Sequence, residues 1–405
     1  MNPIPRIDRA IFLTVAALLS VSAPGHAASP TCGVNETLLS WPASEPLWEL
    51  CYLPPGLSSG PRGSGMELRN VYYRGHLALK RAHAPILFAE YTSSTCYRDW
   101  KDTDSQLLRW TAVHPTFARS TTSSCDRSKD PIASYGTCPF SLVTNGSDGN
   151  PSGNCQTGVT VEDFGGYVEL STQYSAAWYL YSSRFRFHAD GSFEPEFGFG
   201  NSNGTNNSTT HWHHNYWRLD FDIEGADNDR VLQDDAVQAL EFATLRCDPS
   251  TTPACATERN WSVVDSVTGR GYRLLPSGDD YKTPTNQSGR NFHLRDVIGS
   301  IYKNGEYGDQ ASNSLGDCVM AHGNLANGED LDGATGAGTD VVLYYRAGVR
   351  DRTNEGPGTQ DSMVCKSAGP VFVPIGDWSV GGPRPDPLFA DGFEPAVVTG
   401  SAPGA

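Results

Sequence analysis

The sequence predicts a large antiparallel β-sandwich. Glycine and proline, the residues that form turns, number 42 and 27 in a chain of 405 residues. Alternation of apolar and polar side chains, which is typical of strands with one buried face, recurs along the chain. Helical periodicity is scarce, and the best helical candidate is the short segment Asp234–Leu245. Because large sandwiches can exceed 200 residues as one domain, we expect a single domain over residues 28–380.

The first 27 residues have the pattern of a secretory signal peptide. Arg6 and Arg9 precede an apolar segment at 10–23, which is short for a membrane span, and Gly25-His26-Ala27 resembles a cleavage site. No later apolar run reaches spanning length, so we expect no membrane association. The small-residue tail at 381–405 is expected to be disordered. These features favour a secreted or periplasmic protein of a Gram-negative bacterium.

The cysteine content and the net charge argue against two classes of function, zinc-ribbon proteins and nucleic-acid-binding proteins. Ten cysteines, none in a CxxC pair, favour disulfides over a zinc ribbon in an exported chain. Cys247 and Cys255 bracket a short loop and are expected to pair. The formal net charge is −16 and no basic patch is present, which argues against nucleic acid as a partner. Cationic ligands would be attracted, although simple solubility also accounts for the charge.

The predicted strands follow one another along the chain. Residues 66–91 form two strands around a turn at Arg74-Gly75, and a polar, disulfide-tied excursion follows at 95–155. A turn at Asp190-Gly191 joins two further strands, and a loop rich in glycine and asparagine occupies 200–210. The remaining strands are predicted at Val168–Tyr174, Trp178–His188, Phe193–Phe199, Gly271–Pro276 and Asp340–Tyr345.

One segment combines the clearest strand pattern with side chains that bind metals. Apolar and polar residues alternate from Tyr216 to Ile223. Continuing the strand backwards places His211 and His213 on its apolar face. Imidazoles at positions i and i+2 lie about 6.5 Å apart along a strand and can converge on one copper, zinc or iron ion. The competing interpretation is a histidine-rich turn at the surface.

Four blocks in the same order resemble the catalytic domain of copper amine oxidases. These quinone enzymes oxidise primary amines to aldehydes and release ammonia and hydrogen peroxide. The most specific block is the His-x-His segment with the Arg-Leu-Asp-x-Asp that follows it. The resemblance implies the β-sandwich of that domain and a small-molecule primary amine and oxygen as substrates. It also leaves open a homodimer or a compact monomer. The blocks are residues 65–91, 178–191, 211–223 and 340–351.

The resemblance assigns catalytic roles residue by residue. His211 and His213 match two of the three copper histidines, and Tyr179 matches the tyrosine that becomes topaquinone. Tyr181 matches a tyrosine two places later, and Tyr91 resembles the gating tyrosine. In the family, the general base that abstracts the α proton of the amine lies shortly after the strand that here ends at Tyr91. Asp99, Asp102 and Asp104 fall in that region, and Asp104 is favoured.

A second metal site is implied at the other end of the key strand. Asp220, Asp222 and Asp340 match the aspartates of the family's peripheral calcium-like site, to which Phe221 and Val341 would add backbone carbonyls. Hard oxygen ligands suit calcium. The alternative is that these aspartates form a solvated strand face.

Three positions depart from the family pattern. Asp351 stands where the family has its third copper histidine, Trp178 replaces an asparagine before the quinone tyrosine, and Leu180 replaces an acid. Asp351 could still complete the site, because carboxylate is an acceptable if harder copper ligand. The sequence thus predicts a copper-dependent amine oxidase. The alternatives are a metal-binding sandwich without the quinone and other copper or zinc chemistry. Other sources of a third nitrogen are His214, His188 and His322.

Overall fold

The computed structural model describes most of the chain between residues 29 and 379. Within the described ranges every regular element is a strand, and no helix is long and apolar enough to cross a membrane. The predicted signal peptide, the Cys247–Cys255 pair and the C-terminal tail lie outside these ranges. The described residues are 29–53, 58–59, 66–91, 96–99, 108–111, 159–176, 179–201, 211–246, 259–276, 295–303, 326–351 and 366–379.

All strand pairings in the described ranges are antiparallel, and they form two sheets. Strands are numbered in chain order. Among the described residues sheet A has nine strands, in the spatial order β1 (Thr37–Trp41), β2 (Trp48–Leu53), β3 (Glu67–Tyr73), β4 (His76–Tyr91), β11 (His211–Phe221), β18 (Val341–Asp351), β17 (Val297–Ile301) and β14 (Phe242–Thr244), with β5 (Cys96–Asp99) beside β4.

Sheet B has eleven strands in the described ranges and faces sheet A. Its spatial order is β13 (Ala236–Val237), β12 (Asp229–Gln233), β15 (Trp261–Asp265), β16 (Gly271–Leu275), β20 (Val371–Ile375), β10 (Phe193–Asn201), β9 (Tyr179–His188), β8 (Tyr167–Ala176) and β6 (Leu108–Thr111), with β19 (Lys366–Ala368) beside β10 and β7 (Thr160–Asp163) beside β8.

The turns confirm two predictions and correct a third. Arg74 and Gly75 both have positive φ angles, 50° and 79°, as a tight two-residue hairpin requires. Gly191 has a φ of 91°, and a Cβ there would come within 2.5 Å of the Tyr73 ring. The predicted helix at Asp234–Leu245 is wrong. Asp234 and its neighbour Asp235 have φ angles of 49° and 64°, so they form the hairpin turn between β12 and β13 instead.

Aromatic side chains join the two sheets. The Trp48 ring of sheet A lies 4.8 Å from that of Phe187 in sheet B, and Trp217 lies 4.9 Å from Phe185. Burying each large apolar side chain contributes about 1.5–3 kcal/mol, so these contacts are a main source of sandwich stability. Cys32 also forms a disulfide with Cys51, which fastens the N-terminal segment to β2, as the even cysteine count predicts.

Strand β11 lies in the middle of sheet A, between β4 and β18. Every residue from His211 to Phe221 is buried. Its odd-numbered side chains face the core between the sheets. Its even-numbered side chains face a second, smaller apolar cluster that covers the outside of sheet A. That cluster contains Ile86, Tyr216, Ile298, Val342 and Tyr344. The sequence predicted one buried face for this strand, whereas both of its faces are buried. Polar side chains on both faces therefore need hydrogen-bonding or ionic partners.

Candidate metal sites at the two ends of strand β11

The first two odd-numbered residues of β11 form a buried histidine pair. The rings of His211 and His213 are 4.9 Å apart, and both side chains are fully buried. The alternative of a surface histidine-rich turn is therefore wrong. Two neutral imidazoles can be buried without a compensating charge, and they retain nitrogen lone pairs for a metal. We call these two residues the histidine end of β11.

Sheet B fixes the orientation of His213. The Tyr181 hydroxyl of β9 is hydrogen-bonded to His213 Nδ1 at 2.8 Å. The Phe199 ring of β10 stacks on the imidazole with centroids 3.9 Å apart. Because Nδ1 is engaged by the phenol, Nε2 is the nitrogen through which His213 can bind a metal. Metal-binding histidines usually have such a hydrogen bond on their second nitrogen, so the arrangement suits a transition metal.

The strand register brings two further predicted site residues beside His211. Asp351, the last residue of β18, pairs directly with His211 on one side. Tyr91, the last residue of β4, pairs with it on the other side. Tyr179 begins β9 two residues before Tyr181, so it has the same strand parity. The predicted base Asp104 lies outside the described residues.

The other candidate histidines are not part of this pair. His214 faces the outside of sheet A, where Arg346 Nη1 donates to its Nδ1 at 3.0 Å. His188 ends β9, nine residues from Tyr179, and its Nε2 lies 3.1 Å from a Glu194 carboxylate oxygen. Both are therefore wrong as sources of a third nitrogen for the pair. His322 lies outside the described residues.

A buried ionic network surrounds His214. Arg346 Nε donates to Asp296 Oδ1 at 2.8 Å, and the Arg246 backbone N–H donates to Asp296 Oδ2 at 3.1 Å. Burial alone would raise the pKa of Asp296, but the charges of Arg346 and Arg246 hold it below its usual range. Since Arg346 donates to His214 Nδ1, that ring is neutral with its proton on Nε2. The network ties β11, β17 and β18 together behind the histidine pair.

The opposite end of β11 carries a cluster of carboxylates. Asp220, Asp222 and Asp340 place carboxylate oxygens within 4.8 Å of one another. Arg218 Nη2 donates to Asp220 Oδ2 at 3.1 Å. The relative exposures of Asp220 and Asp222 are 2% and 6%, so the alternative of a solvated face is wrong for them. We call the three aspartates the aspartate end, which lies about 30 Å along the strand from His211.

Burial and mutual repulsion perturb these acids. Burial, followed by the charge of Asp220, raises the pKa of Asp222 to about 8. Burial and the charges of Asp222 and Asp220 raise the pKa of Asp340 to about 9. Burial also raises the pKa of nearby Asp229, whose Oδ2 accepts the Ile223 backbone N–H at 3.0 Å. A bound divalent cation would offset this repulsion, and the carboxylate oxygens of this cluster are ligands that suit calcium.

The sequence analysis assigned no role to three buried polar residues near the two ends of β11, which are Asn215, Arg346 and Asp229. Asn215 shares the parity of the two histidines, which is a signal that could have drawn attention to it. Arg346 contacts His214 across 132 residues of chain, and no local pattern could have revealed that contact. Asp229 begins β12 of sheet B, so no local pattern could have revealed its position near the aspartate end either.

Comparison with protein-family models and with curated proteins gives no match. Among solved structures, the copper-containing benzylamine oxidase from Hansenula polymorpha is similar with a TM-score of 0.53 and 13% identity. The alignment covers 91% of this chain and 65% of that one. The Aspergillus nidulans amine oxidase has a TM-score of 0.51 and 15% identity, with coverages of 90% and 55%. The chain thus spans less than two thirds of either protein. The likeness confirms the predicted β-sandwich as a distant copper amine oxidase-like fold.

Proposed function

We propose that this protein is an exported, copper-dependent, amine-oxidase-like oxidoreductase that deaminates a primary amine. One observation carries the proposal. The buried pair His211 and His213 is oriented by Tyr181 and has Asp351 directly opposite His211 in the register. A pair of oriented imidazoles with an adjacent carboxylate is a donor set that copper accepts. The similarity of the fold to two amine oxidases supports the same chemistry.

His211, His213 and Asp351 would hold the copper ion in this proposal. Bound copper would supply the redox centre that, with oxygen, converts Tyr179 to the quinone and returns electrons to oxygen during turnover. The chain itself would orient and enclose that centre. The Tyr181 hydroxyl holds the His213 ring through Nδ1, and the Phe199 ring covers one of its faces. These contacts exclude water from that side of the imidazole.

The remaining predicted residues would act on the substrate. Asp104 would accept the α proton of the amine as general base, and Tyr91 would gate access from its position beside His211. The net charge of −16 is consistent with a cationic amine as substrate. The Cys32–Cys51 disulfide supports export, because such bonds persist in oxidising compartments.

The aspartate end would hold calcium. Asp220, Asp222 and Asp340 would supply carboxylate oxygens, and Phe221 and Val341 would add backbone carbonyls from paired positions on β11 and β18. The ion would neutralise carboxylates that burial and mutual repulsion disfavour as charged groups. Its role would be structural, since this site is on the opposite face of β11 from the histidine pair.

A second candidate is a metal-binding sandwich that forms no quinone. The observation that favours it is an aspartate, not a histidine, at position 351 opposite His211. A carboxylate is a harder ligand than imidazole and would weaken or redirect the preference for copper. Trp178, immediately before Tyr179, is a bulky replacement beside the tyrosine that would be oxidised.

Trapping the quinone separates the two candidates. The mature protein would be reconstituted with copper, incubated in air and treated with phenylhydrazine, which forms a coloured adduct with quinones. We expect a new visible band and an adduct on the peptide that contains Tyr179. The Y179F variant should give neither. Bound copper with no adduct on that peptide would reject the quinone enzyme and favour the metal-binding sandwich.

A further inference from the structure

Two inter-sheet contacts define how β9 and β11 face each other. The Tyr181 hydroxyl meets His213 Nδ1 at 2.8 Å, and four residues further along both strands the Phe185 and Trp217 rings are 4.9 Å apart. The two strands therefore run in step across the core. The residues midway between these contacts must face each other, because side chains on one face of a strand recur every second residue.

The residues at that midpoint are Ser183 and Asn215, and both are polar. Asn215 is fully buried and Ser183 is 2% exposed. Among the residues that the structure describes, no hydrogen-bond partner is found for Asn215 Nδ2, Asn215 Oδ1 or Ser183 Oγ. Leaving three such atoms unsatisfied inside a core is costly, and buried polar groups nearly always have a partner. The chain places them opposite each other without bonding them.

The neighbouring positions on this level of the core are mixed in size. Asn215 pairs with Ala347 of β18 and Leu87 of β4, and Ser183 pairs with Thr172 of β8 and Phe197 of β10. Stacked sheets lie about 10 Å apart, a gap that facing aromatic rings fill but that serine, asparagine and alanine side chains do not. The facing side chains of Ser183 and Asn215 are thus polar and too short to bond to each other across this gap, an arrangement that suits an internal water.

We propose that Ser183 and Asn215 bind internal water between the sheets, directly beside the Tyr181–His213 pair. The amide offers two donors and an acceptor, and the hydroxyl offers both functions, so the pair supplies the several bonds that a buried water makes.

Internal waters in the metal-free full-length protein test the site directly. Oxygen-17 magnetic relaxation dispersion counts waters that stay inside a protein for longer than nanoseconds. We expect the double variant S183A/N215L to lose at least one long-lived water relative to the wild type. The S300A variant should lose none, since the buried Ser300 hydroxyl already donates to the Ile301 carbonyl at 2.7 Å. Equal water counts in the wild type and the double variant would overturn the proposal.

A crystal of the wild type under xenon pressure provides a test that needs no variant. Xenon enters dry apolar spaces and is excluded from hydrated polar ones. We expect ordered water within hydrogen-bonding distance of Ser183 and Asn215, and no xenon between them. Xenon there, or asparagine repacked onto a chain partner, would overturn the inference. Both tests use metal-free protein, so failure of copper to bind would reject the proposed function without affecting the water site.

Discussion

The two ends of β11 present different kinds of metal-binding side chain on opposite faces of the same strand. At the histidine end, odd-numbered residues present imidazoles to the core between the sheets. At the aspartate end, even-numbered residues present carboxylates to the outside of sheet A. Because side chains alternate across a strand, a shift from odd to even positions moves the ligands from one face to the other. One strand can therefore carry a nitrogen site and an oxygen site about 30 Å apart.

The difference between the ends is electrostatic. Neutral imidazoles cost less to bury than charged carboxylates, and the Tyr181 hydroxyl and the Phe199 ring help to hold His213 in place. The carboxylates repel one another, although Arg218 Nη2 donates to Asp220 Oδ2. Neutral imidazoles need no counter-charge, whereas the repulsion between the carboxylates is relieved only when protons or a cation bind. Loss of metal should affect function at the first end and stability at the second.

Removing both imidazoles should have the largest effect. The H211A/H213A variant should retain no copper, since its nitrogen ligands are gone, yet keep calcium at the aspartate end. Elemental analysis of the dialysed, folded protein measures both ions. The H188A variant, changed at the far end of β9, should keep its copper. An unchanged copper content in the double variant would contradict the proposed site.

Removing the Tyr181 hydroxyl should weaken the histidine end without destroying it. Y181F keeps the aromatic packing but deletes the hydrogen bond to His213 Nδ1. Loss of such an outer partner typically lowers metal affinity about 10–100-fold. Competition with a chelator of known copper affinity measures the change. Y272F removes another buried tyrosine hydroxyl away from the site and should leave copper affinity unchanged; an equal loss in both variants would indicate a general packing effect.

Substituting Asp351, which pairs with His211 across the sheet, tests whether position 351 supplies a copper ligand. D351H should tighten copper binding by about tenfold or more, because imidazole suits copper better than carboxylate. The same competition assay applies, and D330H, at an exposed aspartate, serves as the control. Weaker copper binding in D351H would show that position 351 does not contribute a ligand.

The histidine end was more predictable from sequence than its surroundings. Alternation from Tyr216 to Ile223 identifies the strand, and parity alone then puts His211 and His213 on the core face. The outer face could not be predicted this way. Its burial depends on residues such as Ile298 and Val342, which reach β11 only through the sheet order. Helical periodicity also gave a wrong prediction at Asp234–Leu245, because two aspartates with positive φ make a hairpin turn there that periodicity does not reveal.

The smallest effect is expected from the aspartate end. It should appear as a change in protein stability with pH. Without calcium, burial and repulsion raise the pKa of Asp222 to about 8 and of Asp340 to about 9, against about 3.9 in the unfolded chain. Between these values the folded state holds more protons than the unfolded state, so the free energy of unfolding falls as pH rises from about 4 to about 9.

Thermal melts in a calcium chelator should therefore show a midpoint that falls by at least about 2–4 °C across this range. Saturating calcium should flatten the trend, because the ion stabilises the charged carboxylates. D222N should reduce the slope, since it removes one of the acids with a raised pKa, whereas D330N, at an exposed position, should not. A flat profile in chelator, or an equal slope with calcium, would contradict this assignment. H211A/H213A should keep the wild-type slope, which would establish that the two ends of β11 act independently.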